Sequence, residues 1–167
     1  MSLGNFFTPL LIDAAVSAYQ TSNIITHLPT AVKPPIQSVT KGYYSILIGL
    51  NDYWLSGSSA ATIYANIQTI CSTVSGYSSS PSVIVFTELP AAVSGWETVR
   101  QSLNTLIRNG GSCPYTVADV GNDATIGQAG ENTNLTYYNS DQIHPNNAGS
   151  LIIGTYLTAA LKSISVQ

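Results

Sequence analysis

This sequence has very few charged side chains. Of its 167 residues, five are Lys or Arg and eight are Asp or Glu, so charged residues make up 8% of the chain and the net charge is −3. In a typical globular protein roughly a quarter of the residues are charged, so the polar surface here must come from Ser, Thr, Asn, Gln and Tyr. Because no basic stripe is available to neutralise a phosphate backbone, the composition argues against a nucleic-acid partner.

The sequence also lacks the long apolar segments of membrane proteins. No apolar run approaches the ~18 residues that a membrane helix needs, so we predict no membrane span. The N-terminus shows no basic region followed by an apolar core, and therefore no recognisable signal peptide. The scarcity of charge is nevertheless more typical of extracellular than of cytosolic proteins, and on composition we favour an extracellular location.

Cysteine is scarce, since Cys71 and Cys113 are the only two in the chain. Two cysteines permit one disulfide and are too few to make a structural zinc site alone. The sequence leaves both states open, and of the two we favour free or buried thiols over a disulfide.

Apolar patterning predicts an alternation of helices and strands. Continuous apolar runs predict buried strands at 43–50, 82–89 and 115–120. A shorter strand is predicted ahead of them, at 23–28. Amphipathic spacing predicts helices at 6–19, 58–75, 94–109 and 146–164. Ser58 or Ser59 is a suitable N-cap for the second helix, and Ser94 and Glu97 resemble a capping box for the third.

Apolar strands separated by helices are typical of a parallel sheet covered on both faces. We therefore predict one three-layer α/β/α domain over residues 1–167. Ligands of such sheets bind beyond the carboxyl ends of the strands. Residues 49–52 and 88–90 each lie at the end of a predicted strand, and 141–145 precede the last helix, so these three segments should share one edge. Glu88 could line a pocket there or simply end its strand.

Asp141 and His144 form the most informative pattern, in the sequence Asp-Gln-Ile-His-Pro at 141–145. Imidazole titrates near neutrality and is the usual proton shuttle, and a neighbouring carboxylate can hold one tautomer and stabilise the imidazolium. The functional interpretation is a general base with its orienting carboxylate. Two alternatives stay open, namely capping of the last helix by Ser140 and Asp141, and metal ligation together with His27.

Asn51 follows an apolar strand in the sequence Gly-Leu-Asn-Asp at 49–52. A side-chain amide at this edge could donate to a developing oxyanion, where one donor is typically worth about 10²–10³ in rate. The alternative is that Asn51 and Asp52 only shape a turn before the next helix. Tyr53 and Trp54 come next and could line an acyl or sugar pocket.

Together these patterns resemble the SGNH (GDSL-type) hydrolase family. Residues 46–52 resemble its Gly-x-Asn-Asp block, residues 141–149 resemble its Asp-x-x-His-Pro block, and the resemblance spans roughly 40–165. It implies a flavodoxin-like parallel sheet of four to five strands and a serine nucleophile with Asp141 and His144 as its partners. It implies that Asn51 and Gly49 belong to the site that binds the oxyanion of the reaction intermediate. The implied substrates are small esters, acylated sugars or lipids, and no metal or organic cofactor is implied.

The family's first block, Gly-Asp-Ser at the end of a central first strand, is absent from the sequence. We therefore expect that strand to be missing and leave the nucleophile open, with Ser2 as a candidate. Either the chain is an inactive or N-terminally truncated form of a longer esterase, or segment 23–28 pairs beside 43–50 in a smaller sheet. The alternative function is a non-catalytic relative that binds carbohydrate or protein. The oligomeric state stays undefined.

Overall fold

The computed structural model describes residues 13, 15–31 and 40–165. Over this part of the chain the elements run as α1 (Thr21–Ala31), β1 (Lys41–Ile46), α2 (Leu50–Ser56), α3 (Ala60–Ser75), β2 (Ser80–Phe86), α4 (Trp96–Asn109), β3 (Thr116–Ala118) and α5 (Asn147–Ser165). Two single turns of 3-10 helix, Val120–Asn122 and Glu131–Thr133, lie in the long polar loop before α5. Among the helices described, none combines the length and apolarity that a bilayer span requires.

The strands form a parallel sheet in the order β1-β2-β3. This confirms the predicted α/β class and parallel pairing. The prediction of four to five strands is too high for the described ranges, where the sheet has three. Each strand also ends earlier than its apolar run, and β1 stops at Ile46 because Leu50 already begins α2.

Helices cover both faces of the sheet. Alternate side chains of β2 point to opposite faces, so Val83 and Val85 pack in one buried cluster while Ile84 and Phe86 pack in another. The first cluster is filled from α3 and α4, and the second from α5 and the loop before it. The three-layer arrangement predicted from the sequence is therefore observed.

The predicted strand at 23–28 is wrong, because this segment lies within helix α1. Ile24 and Leu28 stand four residues apart, share one helix face and pack into the cluster formed with α3. The local β-propensity of the Ile pair is therefore overridden by burial against a helix. As a consequence, segment 23–28 does not extend the sheet beside β1.

The helix predicted at 6–19 falls largely outside the described residues, as does Ser2. Its described end is a turn in which Tyr19 N donates to Val16 O over 3.2 Å and Ala18 has a positive φ of 62°.

The helix termini confirm some of the predicted caps and correct others. Ser59 caps α3, since its Oγ accepts Thr62 N at 3.2 Å. The predicted capping box before α4 is wrong, because the N-cap is Gly95 at φ 79° and makes no side-chain bond. Capping of α5 by Ser140 and Asp141 is also not observed. Asn146 Oδ1 instead accepts Ala148 N and Gly149 N at 2.9 and 3.2 Å.

Cys71 and Cys113 form a disulfide that ties α3 to the segment before β3. The expectation of two thiols is therefore wrong. Their Cα atoms lie 6.1 Å apart, within the range that a disulfide spans. The two residues are separated by 42 positions, so only the packing of α3 against its neighbours brings them together.

Candidate active site

Asp141 and His144 are hydrogen-bonded to each other. His144 Nδ1 lies 2.8 Å from Asp141 Oδ2, while Asp141 Oδ1 accepts the backbone N–H groups of Ile143 and His144 at 2.9 and 3.1 Å. The bond from His144, followed by these two backbone bonds, lowers the pKa of Asp141 to about 2. Asp141 is therefore ionised at neutral pH, and it favours the imidazole tautomer that carries its proton on Nδ1.

This pair faces solvent. The side chain of His144 is 69% exposed and that of Asp141 is 44% exposed. Within the described ranges no serine hydroxyl is hydrogen-bonded to His144. An open surface depression of about 440 Å³ lies at the start of α5; Thr136, Asn139, Pro145, Asn146, Asn147 and Ala148 line it, and Asp141 and His144 do not.

The loop that carries the pair is fixed by its own backbone. Gln142 adopts a positive φ of 57°, which is unfavourable for a residue other than glycine. Gln142 N donates to Asn139 O and Asn139 N donates to His144 O, each over 2.9 Å. An antiparallel bridge joins Pro145 to Tyr138, a buried residue whose hydroxyl donates to Ile126 O at 2.7 Å. These contacts hold His144 at the start of α5.

Asn51 lies in the first turn of α2 and is half-buried. Its Nδ2 donates to Tyr19 O at 3.1 Å. Since an amide nitrogen carries two hydrogens, one donor remains for another acceptor. Asn51 follows β1 in the chain but already belongs to α2, and its contact with Tyr19 is not predicted from the sequence.

Asp52 does more than shape a turn. It is 2% exposed and accepts the backbone N–H of Thr21 at 3.0 and 3.1 Å, together with the Thr21 hydroxyl. Asn66 Nδ2 completes the group by donating to Thr21 Oγ1 at 2.8 Å. Asp52 thereby joins α2 to the start of α1.

Gly49 is buried at the junction of β1 and α2. A Cβ atom at this position would lie 3.0 Å from Leu103 and 3.2 Å from Ile63, which is closer than side chains normally approach. The same atom would lie 3.4 Å from Glu88 Oε1. The absence of a side chain at Gly49 therefore lets helices α3 and α4 close over the end of β1.

Glu88 is the residue that the sequence interpretation undervalued. It follows β2, is 5% exposed, and its Oε1 has no hydrogen-bond partner in the described part of the chain. Burial, and after it the charge of Asp52, raises the pKa of Glu88 to about 7. In the sequence, the only sign of this residue's importance is that a carboxyl group follows a continuous apolar strand. That pattern does not tell whether the carboxyl group is exposed at the edge of the sheet or buried.

The loop 87–95 connects the two halves of the candidate site. On one side the Glu88 carboxyl reaches Gly49, and Tyr53 Oη donates to Ser94 O at 2.9 Å. On the other side Ala92 N donates to Gln142 O at 2.9 Å. The segments at 49–52 and 141–145 therefore border the same loop at the carboxyl ends of the strands.

Tyr53 and Trp54 are the predicted pocket residues, and His27 is the predicted additional metal ligand. Tyr53 is held by Ser94 and stacks at a tilt on Trp96, with 5.9 Å between ring centroids, whereas Trp54 is 51% exposed. His27 packs edge-on against Tyr19. In residues 13, 15–31 and 40–165 no group of three or more His, Cys, Asp or Glu side chains could hold a metal ion, so His27 does not join the pair as a ligand set.

Known proteins match this chain in structure but not in sequence. A carbohydrate esterase family 3 protein from Talaromyces cellulolyticus matches at a TM-score of 0.63 and 17% identity, over 89% of this chain and 69% of that chain. A mutant acetyl esterase with acetate ion matches at a TM-score of 0.64 and 17% identity, over 89% of this chain and 69% of that chain. A GDSL-like lipase from Parabacteroides merdae ATCC 43184 matches at 0.65 and 17%, over 86% and 69%. No protein-family model and no curated protein matches the sequence.

Proposed function

Because this chain has the fold of the SGNH (GDSL-type) hydrolases, we propose that the protein hydrolyses carboxylic esters through a serine nucleophile. His144 is the general base and Asp141 is the carboxylate that orients it. The observation that carries the proposal is the 2.8 Å bond between His144 Nδ1 and Asp141 Oδ2. It supplies the base and its partner in the arrangement that acyl transfer requires.

The chemistry follows from the tautomer that Asp141 favours. With the proton on Nδ1, the Nε2 lone pair of His144 is free to take the proton of a serine hydroxyl as its oxygen attacks the ester carbonyl. The imidazolium then gives this proton to the departing alcohol, and water repeats the sequence on the acyl-enzyme. Ionised Asp141 stabilises the imidazolium in both steps. Ser2 stays a candidate for the nucleophile and lies outside the described residues.

Asn51 and Gly49 are the groups that we assign to the oxyanion side. The second Nδ2 hydrogen of Asn51 is available for an acceptor, and the residue lies in the first turn of α2. Gly49 permits the close packing that fixes the turn before α2. Preorganised donors of this type are usually the largest contribution to acyl-transfer catalysis.

We expect small acyl esters, including acetylated sugars, as substrates. Two of the structural neighbours are a carbohydrate esterase and a mutant acetyl esterase with acetate ion. The polar depression at the start of α5 offers hydrogen-bonding groups to a hydroxyl-rich alcohol, because Thr136, Asn139 and Asn146 line it. An extracellular location agrees with the disulfide, since disulfides persist in oxidising compartments.

The test is the turnover of p-nitrophenyl acetate by the wild type, His144→Ala, Asp141→Asn and His27→Ala. We expect His144→Ala to lose at least about 10³-fold in kcat. His27→Ala is the matched control, because it removes the other histidine and should leave kcat unchanged. If neither this chain nor a form extended upstream shows turnover that depends on His144, the proposal is wrong.

A non-catalytic binding role is the second candidate. It is favoured by the exposed indole of Trp54, which follows the Asn51 turn, and by a depression lined with polar side chains. A glycan-binding screen should then find a ligand that Trp54→Ala loses. Tyr53→Phe is the control, since Tyr53 is already bonded to Ser94.

A further inference from the structure

Asn134, Leu135 and Thr136 form the acceptor pattern for N-linked glycosylation. The pattern is an asparagine followed two positions later by serine or threonine, with any residue except proline between them. No other asparagine in the 167-residue sequence has serine or threonine two positions after it. Because so short a pattern also arises by chance, the structure around Asn134 decides whether a glycan fits there.

This segment lies at the surface of the long polar loop before α5. It follows the 3-10 turn Glu131–Thr133 directly. Asn134 is partly exposed, Thr136 is exposed, and the apolar side chain of Leu135 is 57% exposed. A glycan is bulky and hydrophilic, so the folded chain accommodates it only where the acceptor side chain opens to solvent. The position of Asn134 meets this requirement.

The side-chain amide of Asn134 is oriented by a local hydrogen bond. Its Oδ1 accepts the backbone N–H of Thr136 at 3.2 Å, which forms an Asx turn. The bond occupies the oxygen of the amide. In the part of the chain that the structure describes, Nδ2 of Asn134 donates to no protein acceptor. The nitrogen to which a glycan is attached is therefore the atom that the fold leaves available.

The backbone around the acceptor is held by other groups. Asn134 O accepts Tyr137 N at 3.0 Å. Asn146, at the start of α5, donates from Nδ2 to Leu135 O at 3.3 Å and to Thr136 O at 3.1 Å. None of these bonds involves Nδ2 of Asn134. A substituent on this nitrogen therefore replaces no contact that stabilises the loop.

We propose that Asn134 is a site of N-linked glycosylation, with a lipid diphosphate-linked oligosaccharide as the sugar donor. In the transfer, Nδ2 of Asn134 forms a bond to C1 of the first sugar and gives up one proton to a base of the transferase. The bond between C1 and the phosphate oxygen breaks, and the lipid diphosphate leaves with the electron pair of that bond. Nothing is oxidised or reduced in this step.

The modification agrees with two other properties of the chain. Passage through a secretory compartment is required, and the disulfide between Cys71 and Cys113 is of the kind that persists in oxidising compartments. Charged residues make up only 8% of the sequence. A glycan beside the exposed Leu135 would supply polar surface that charged side chains do not. The modification does not require that the protein hydrolyse esters, so each proposal can fail without the other.

The test is secretion of the full chain from a eukaryotic host, followed by mass spectrometry of the intact protein and of its peptides. We expect the wild type to exceed its polypeptide mass by one glycan, carried on the peptide that contains Asn134. An amidase specific for N-linked glycans should remove this excess mass and leave an aspartate side chain at position 134. Thr136→Ser keeps the required hydroxyl and should keep the glycan. Asn139→Gln changes a neighbouring asparagine outside the pattern and should also keep it.

Two variants should lose the glycan completely. Asn134→Gln removes the acceptor together with its bond to Thr136 N. Thr136→Val removes the hydroxyl but keeps the shape of the side chain and the backbone N–H that donates to Asn134. This second variant preserves the Asx turn, so its loss of the glycan cannot result from disruption of the loop. A secreted wild type without a glycan, or a glycan that persists in either variant, would overturn the proposal.

Discussion

The two sides of the candidate site are built in different ways. Asp141 and His144 lie three residues apart, contact each other directly and are largely exposed. On the other side Asp52 and Glu88 are buried, and the contact of Asp52 with Thr21 joins residues 31 positions apart. The proposed proton shuttle is therefore a local motif on a surface loop, whereas the frame beneath the proposed oxyanion side depends on tertiary packing.

This difference implies a separation of effects. Changes on the buried side should lower the free energy of unfolding, because they leave polar groups without partners or leave space unfilled. Changes to the exposed pair should lower activity and barely affect stability, because exposed ion pairs contribute little.

The largest loss of stability is expected from Arg100→Leu. Arg100 is fully buried and donates to the carbonyls of Glu88 and Gly127, so its removal leaves these acceptors short of a donor. We expect a loss of about 3–5 kcal/mol in the free energy of unfolding, measured by urea denaturation. Arg108→Leu is the matched control, since its pair with Asp119 is partly exposed and should contribute about 0–1 kcal/mol. Equal losses of unfolding free energy in Arg100→Leu and Arg108→Leu would show that the buried arginine contributes no more to stability than the partly exposed one.

Removal of the disulfide should have the next largest effect. It closes a loop between residues 42 positions apart, and Cys71→Ala with Cys113→Ala should cost about 2–4 kcal/mol. The disulfide joins α3 to the segment before β3, away from the loop of His144, so the rate at 25 °C should be retained in the folded fraction. Thermal unfolding with and without a reductant measures this loss in the wild type. A Tm that does not respond to reduction would show that the bond does not stabilise the fold.

A smaller loss is expected from Thr21→Val. The substitution keeps the shape and the backbone N–H bond to Asp52 but removes the hydroxyl that donates to the same carboxylate. A loss of about 1–2 kcal/mol should appear in urea denaturation. Thr26→Val on the same helix is the control, because its exposed hydroxyl only contacts Ser22 O. If the two variants are equally stable, the Thr21 hydroxyl does not contribute to the anchoring of α1 by Asp52.

The smallest effect on stability is expected from Asp141→Asn. The folded-state pKa of Asp141 lies below its unfolded value of 3.8, so its contribution is present above that pH and is lost as pH falls through about 2. The Tm of Asp141→Asn should therefore lie slightly below that of the wild type at pH 6, and the two should converge near pH 2. Turnover should fall strongly in the same variant. A large loss of Tm at pH 6 would show that Asp141 mainly stabilises the fold.

The sequence predicts best what depends on neighbouring residues. The Asp141–His144 contact, the Ser59 cap and the parallel α/β class were all accessible from local patterns. The disulfide, the burial of Glu88 and the helical state of 23–28 depend on partners distant in the chain, which spacing does not reveal. Isoleucines at 24 and 25 favour a strand locally, yet packing on α3 stabilises a helix there. Sequence reasoning was therefore more informative about the exposed side of the site than about the buried side.

The central claim is that His144 activates a serine. It is tested most directly by reaction with a fluorophosphonate probe and identification of the labelled peptide by mass spectrometry, in whichever form hydrolyses p-nitrophenyl acetate. We expect one labelled serine in the wild type and in His27→Ala, and loss of that label in His144→Ala. A label that persists in His144→Ala, or an active protein in which no serine is labelled, would show that His144 does not activate a serine nucleophile.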